Sequence, residues 1–346
     1  MRTYLTRRVL QLIPLLFVIS VILFALMYSI GDPLAIVMNV PRRPSGTQIE
    51  QASRRLGFDQ PIYVQYIYWL VGNDWTFIDF DGDGDTDEEM HGTRRGILRG
   101  DLGTSLITRQ AVATRIGERL GNTMLLMLPA YALILLISFT LGVISALRQY
   151  SLLDGILTTA AFVFYSMPIF LVALGMILLF AVAFRNWGLP HLPIAGMGRP
   201  GEERTLSTLL PYMIMPVLSI ALVSSAAYMR YVRASVLEVI NHDYVRTARS
   251  KGIGERRVLF VHVLRNAALP LITIIGLDVP FLLGGAIVTE SIFAWPGMGM
   301  LFIESLERSD YPVLMAMLMF VALFVIVSQL ITDLLYSLLD PRIRLS

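Results

Sequence analysis

Long apolar runs alternate with polar connections along this chain, and the runs are longer than a soluble helix needs. Six reach the roughly 20 residues required to cross a bilayer: residues 9–30, 123–147, 156–184, 206–229, 267–289 and 312–332. Five of them hold no charged residue, and 267–289 holds only Asp278. The first run is too long for a signal-peptide core and has no small-residue cleavage site after it, which predicts a retained helix. No polar turn interrupts residues 156–184, so the pattern predicts one long tilted helix kinked at Pro168. The expected fold is an all-α integral membrane protein of six transmembrane helices, with both termini on one side.

Charge placement says which side. With the N-terminus inside, the inner pieces 1–8, 148–154, 230–266 and 333–346 hold 3, 1, 8 and 2 Lys and Arg. The short outer loops 185–205 and 290–311 hold 3 and 1. This asymmetry orients the chain with both termini in the cytoplasm. The long segment 31–122 is then outside, large enough to be a small module. Its Tyr63, Tyr66, Tyr68, Trp69 and Trp75 would supply a core or a contact with the membrane interface. The chain divides into 1–30 (inner end and first helix), 31–122 (outer module, with an acidic insert at about 73–96) and 123–346 (a five-helix core carrying the inner loop 230–266).

Composition agrees. Of 346 residues 55% are hydrophobic and 16% charged, against about 25% charged in soluble domains, and mean hydropathy is +0.65. The chain has no cysteine, which excludes disulfides and thiolate chemistry. Its single lysine stands in Ser250-Lys251-Gly252, which cannot be a phosphate-cradling Gly-Lys-Ser/Thr loop. There is no His-Glu-x-x-His and no Gly-x-Ser-x-Gly. Gly82-Asp83-Gly84-Asp85 matches the Gly-x-Gly-Asp string of intramembrane aspartyl proteases but has no apolar helix around it. Nothing points to catalysis, and no nucleic-acid partner is expected.

The inner loop carries the most pattern. Asp243 can cap a short helix over 244–251 that ends at Gly252 and Gly254. Glu255 then opens an amphipathic helix in which Val258, Leu259, Val261, His262 and Leu264 interleave with Arg256, Arg257 and Arg265. Two short helices around a glycine turn make a compact protrusion. On charge alone it would serve as an anchor against anionic lipid.

These residues also resemble a known family. The run from Asp243 through Ala248 to Gly252, then Glu255-Arg256-Arg257-Val258 and Leu264-Arg265-Asn266-Ala267-Ala268-Leu269-Pro270, is similar to the signature loop of ABC-importer permeases. Its long spacing between Gly252 and Leu269-Pro270 resembles the dipeptide, oligopeptide and nickel branch, and within it the first permease with a long outer loop. Gly100-Asp101-Leu102-Gly103-Thr104-Ser105, Glu290-Ser291-Ile292-Phe293, Pro296-Gly297-Met298-Gly299 and Asp340-Pro341-Arg342 resemble other runs of that branch.

The resemblance implies a type I importer permease fold and half of a membrane pathway for short peptides. A paralogous permease subunit, two ATP-binding subunits inside and an extracytoplasmic solute-binding protein would complete the complex. ATP would be used by those partner subunits in the cell membrane, with Asp243, Ala248, Gly252, Gly254, Glu255, Arg256 and Arg257 forming the loop that couples to them. A nickel complex or another small solute is the alternative cargo. An ion-coupled transporter using Asp278 would call for an internal repeat of helical hairpins, which the sequence lacks.

Asp278 and Glu290 admit two readings each. An acid within a membrane segment is costly and faces a polar partner or a water-filled path, so Asp278 either lines the translocation pathway or bonds a neighbouring helix. Glu290, at its helix end, either joins the pathway or holds the 296–299 turn. The acidic insert sets Asp79, Asp81, Asp83, Asp85 and Asp87 at alternate positions with Gly84 sixth, the spacing of a calcium loop. Position 12 is Met90 instead of the usual glutamate. Ca2+ is therefore the one cofactor expected on the chain, with a solvated acidic loop as the alternative.

Overall fold

The computed structural model describes residues 2–30, 46–47, 51, 53–54, 57–78, 90–92, 94–199, 201–268, 271, 274, 278 and 286–339. Among them, five helices are long and apolar enough to cross a membrane. They lie in α1 (Arg2–Ile30), α3 (Val112–Leu147), α5 (Ile169–Asn186), α6 (Leu206–Ile240) and α11 (Tyr311–Leu339). Shorter helices connect them: α2 (Ile62–Leu70), α4 (Leu152–Ser166), α7 (Asp243–Ser250), α8 (255–267), α9 (Ile287–Ile292) and α10 (Met298–Glu307). The only sheet among the described residues pairs β1 (Phe77–Ile78) with β2 (Met90–His91), antiparallel, with Phe77 opposite His91. The protein is a helical, multi-pass membrane protein.

One expectation fails. Residues 156–184 are not a single kinked helix: α4 stops at Ser166, Met167 is extended at ψ 127°, and Pro168 caps the start of α5. A proline disfavours the helical conformation in the residue before it, and Met167 is that residue. The amides of Leu171 and Val172 then bond to the Pro168 carbonyl and restart the helix. The sixth expected span, 267–289, falls mostly outside the described residues.

The chain forms two compact units. In the unit made of 1–119 and 301–324, α2 packs on α1: the Ser20 and Tyr66 hydroxyls lie 2.7 Å apart, and Phe24 meets the Tyr66 ring edge-on. Asp310, buried at the foot of α11, accepts from the Ser105 hydroxyl and the Leu106 amide, with Arg115 3.5 Å away. That explains the serine that closes the Gly-Asp-Leu-Gly-Thr-Ser run.

The unit made of 120–300 and 325–346 holds the larger apolar core. Leu126, Ala130 and Ile134 of α3 meet Tyr228, Val232, Val236 and Val239 of α6 there, together with Trp295. Arg230 lies over the Tyr165 ring at 4.1 Å and the Phe162 ring at 5.4 Å, a cation–π contact between α6 and α4.

Candidate functional site: the loop between α6 and α8

The loop is built around one glycine. Gly252 has φ +75°, the left-handed conformation that ends helices. Its amide donates to the Arg249 carbonyl at 2.9 Å, and the Ile253 amide donates to the Ala248 carbonyl at 3.3 Å. These paired bonds cap α7 in a Schellman motif, and Ile253 packs in the apolar cluster that contains Ala248. Gly254 takes a non-helical conformation as N-cap of α8, and Glu255 is the first residue of that helix. Across the turn, Arg249 Nε lies 2.8 Å from Glu255 Oε1, an exposed ion pair between the two helices.

Two local expectations are corrected. Asp243 does not cap α7. His242 is the N-cap and makes no side-chain capping bond, while Asp243 is the first helical residue, where a carboxylate still suits the positive end of the helix dipole. The apolar face of α8 also differs from a plain α-helical reading, because residues 258–263 form a π-helical stretch. Its wider turn moves the register, burying Val258, Val263, Leu264 and Ala267 and leaving Phe260 66% and Val261 46% exposed.

The loop therefore has two faces. Val245, Ala248, Val258 and Val263 sit in the core cluster with Val232, Val236 and Val239 of α6. The other face presents Asp243, Tyr244, Glu255, Arg256, Arg257, Phe260 and Val261, all exposed. This outer face sets the exposed apolar side chains of Tyr244, Phe260 and Val261 among charged residues.

A polar clamp supports the end of α6 from which the loop departs. Arg233 grips Asp154 through two parallel bonds, Nε to Oδ1 at 3.0 Å and Nη2 to Oδ2 at 2.9 Å. Asp154, buried in the first turn of α4, also accepts from the Ser145 hydroxyl of α3 and from the Tyr150 amide. One carboxylate thus ties three helices, and the bidentate geometry adds direction to the charge pairing. Sequence pattern did not single out this clamp. Arg233 counted only as one of eight basic residues, and the sole signal was that Asp154 is the one acid in the short connection 148–154.

Tyr228 donates a hydrogen bond to Asp278, and the Tyr131 and Tyr228 hydroxyls lie 3.1 Å apart. Asp278 is thus met by a polar chain reaching back to α3. Glu290 is 0% exposed. Its carboxylate accepts from the Thr123 hydroxyl at 2.9 Å and the Met300 amide at 3.0 Å. Trp295 Nε1 donates to the Asn122 carbonyl, and Asn122 Nδ2 to the Pro296 carbonyl, both at 2.8 Å. A Cβ at Gly297 would come within 2.5 Å of the Glu290 carboxylate. That crowding accounts for the glycine, and the bonds give Glu290 the work of holding the 296–300 turn. Asp79, Asp81, Asp83, Asp85 and Asp87 lie outside the described residues.

Residues 138–345 match the family described as binding-protein-dependent transport system inner membrane component, and residues 1–127 match the N-terminal family of the same membrane components. The chain belongs to the binding-protein-dependent transport system inner membrane component family. The oligopeptide transport system permease protein AppB of Bacillus subtilis is 39% identical over 99% of this chain and 100% of its own. The dipeptide permease DppB of Escherichia coli K12 and the glutathione permease GsiC of Escherichia coli O6:H1 are each 33% identical, over 99% of both chains. A solved amino acid ABC transporter with histidines is 18% identical over 67% of this chain and 95% of its own, with a TM-score of 0.43, a likeness too slight to add to the fold. In this membrane component the loop 243–261 lies within the stretch that matches the family.

Proposed function

We propose that the chain is the non-catalytic permease of an ATP-driven importer of short peptides, supplying half of the membrane pathway. The observation that carries this is the capped, core-anchored loop 243–261 with Tyr244, Phe260 and Val261 exposed on its outer face. Full-length relatives named for oligopeptide, dipeptide and glutathione transport support peptides as cargo. A paralogous permease would complete the pathway. Of two ATP-binding subunits one would seat on Tyr244, Arg256, Arg257, Phe260 and Val261, and a solute-binding protein would deliver substrate from outside. The glycine turn at Gly252 sets the angle of that seat, and Asp243, Ala248, Gly254 and Glu255 hold it.

The charge asymmetry supports both termini in the cytoplasm of an inner or plasma membrane, with 31–122 outside. Asp278, with Tyr228 and Tyr131, is proposed to face the pathway, where a carboxylate would attract a peptide's ammonium group. The spacing of Asp79 to Asp87 supports a weak calcium loop in the outer segment.

The test is to reconstitute the complex with its binding protein and ask which ligand on that protein stimulates ATP hydrolysis. Stimulation by short peptides is expected. Stimulation by a nickel complex alone would overturn the peptide reading, and transport that runs on an ion gradient without ATP would overturn the importer reading.

A further inference from the structure

A cavity of about 90 Å³ lies within the unit formed by 1–119 and 301–324. Phe24 of α1, Trp69 of α2, and Tyr311 and Met315 of α11 line it, together with Arg94 and Asp101. Its depth in the bilayer follows from the spans. Phe24 is five residues, roughly 7.5 Å, short of Ser29, where the first span ends. Tyr311 and Met315 occupy the first turns of the last span, Tyr311–Thr332. The Ser20–Tyr66 contact sets α2 beside the middle of the first span. On its other side α2 exposes Ile62, Tyr63 and Ile67. The nine-residue apolar helix and the cavity therefore lie beside the ends of two candidate membrane spans.

Arg94 is the unexplained group. Its backbone is fixed, with the amide donating to Asn73 Oδ1 at 3.0 Å and the carbonyl accepting from the Asn73 amide at 2.9 Å. Among the described residues nothing accepts a hydrogen bond from its guanidinium. Burial holds its pKa below the ordinary arginine value, against the attraction of Asp101. Asp101 does not neutralise it by contact: its carboxylate accepts from the Arg95 and Gly103 amides, each at 2.9 Å. Arg94 is half-buried and lines the cavity. A guanidinium for which the described residues supply no acceptor suits an anion, and its planar fork matches phosphate oxygens.

We propose that this cavity holds the phosphate of one phospholipid, bound by the Arg94 guanidinium, with Trp69 and Phe24 against the upper part of its acyl chains. Aromatic walls at interface depth suit a lipid, whereas a free anion would have to give up its water to enter them. Calling this the outer leaflet rests on the orientation proposed above; lipid binding does not, so either can fail alone.

The full chain in detergent, probed by native mass spectrometry and thermal melting, tests the site. Wild-type protein is expected to keep one phospholipid through delipidating washes and to melt several degrees higher when phosphatidylglycerol is added, by mass action on the folded state. Arg94→Gln should lose the lipid and the shift, while Arg94→Lys, keeping the charge without the fork, should keep part of both. Retention of the lipid by Arg94→Gln would overturn the assignment. So would displacement of the lipid by millimolar inorganic phosphate or by a short peptide, which would make the ligand a soluble anion. Should Arg94→Gln not fold, the wild type still decides: no retained lipid and no response to phosphatidylglycerol overturns the proposal.

Discussion

Replacing Gly252 by valine tests the docking reading at the residue that shapes the turn. At φ +75° an L-residue sits in the left-handed region, at a cost of about 1–2 kcal/mol, and a branched Cβ adds to it. No atom beyond the adjacent residues lies within 4 Å of where a Cβ would stand, so the cost is local to the backbone of the turn. A penalty of one or two kcal/mol changes a two-state population by about 5–30-fold, here the fraction of loops holding the capped turn. Gly252→Val should therefore insert normally, yet pull down its ATP-binding subunits several-fold less well and show reduced substrate-stimulated ATP hydrolysis. Gly252→Asn is the control, since asparagine tolerates this conformation. Wild-type association and wild-type stimulated hydrolysis by Gly252→Val would refute the reasoning.

Asp154→Ala should destabilise the chain by about 1.5–3 kcal/mol, the range for hydrogen bonds to charged groups, read as a lower melting temperature in detergent; an unchanged melt would remove the clamp's role. Phe260→Glu should weaken docking of the ATP-binding subunits without changing thermal stability, because the side chain packs on little of its own chain. A reporter fused after Ser346 should be cytoplasmic and one inserted at Asp87 should be outside, and finding both on one side would break the orientation. Calcium at several millimolar should raise the melting temperature of the full chain, Asp83→Ala should abolish that gain, and magnesium should reproduce it poorly, being stricter about octahedral geometry; equal melting in chelator and calcium would leave a solvated acidic loop.

What could be read from sequence follows from how local each cause is. The apolar spans were legible because a bilayer demands internally bonded backbone over a fixed length. The turn at Gly252 was legible because helix ends favour one residue type. The break at Met167–Pro168 was misread as a kink: proline is compatible with either, and the packing that decides lies elsewhere in the chain. The π-helical register of 258–263 left no signal, since the same residues would make an ordinary amphipathic helix. The Asp154–Arg233 clamp joins positions 79 residues apart, and no periodicity reports a contact at that distance. Asp278 was found as an anomaly of composition, whereas its partner Tyr228 looked like any other residue of an apolar helix.

The two faces of the loop explain why docking and transmission can be separate properties of one short segment. On the docking reading, a partner pushes on Tyr244, Phe260 and Val261, which do little for the fold. The push is received by Val245, Ala248, Val258 and Val263, which are packed into the same cluster as Val232, Val236 and Val239. Close-packed interiors compress little, so displacement of the loop must carry the end of α6 with it. Arg233 lies on that stretch of α6, and its paired bonds to Asp154 pass the displacement to the start of α4 and, through Ser145, to α3. Directional polar bonds suit this junction better than apolar contact, because sliding one helix past another would leave a buried carboxylate without its donors. The clamp therefore resists shear between these helices.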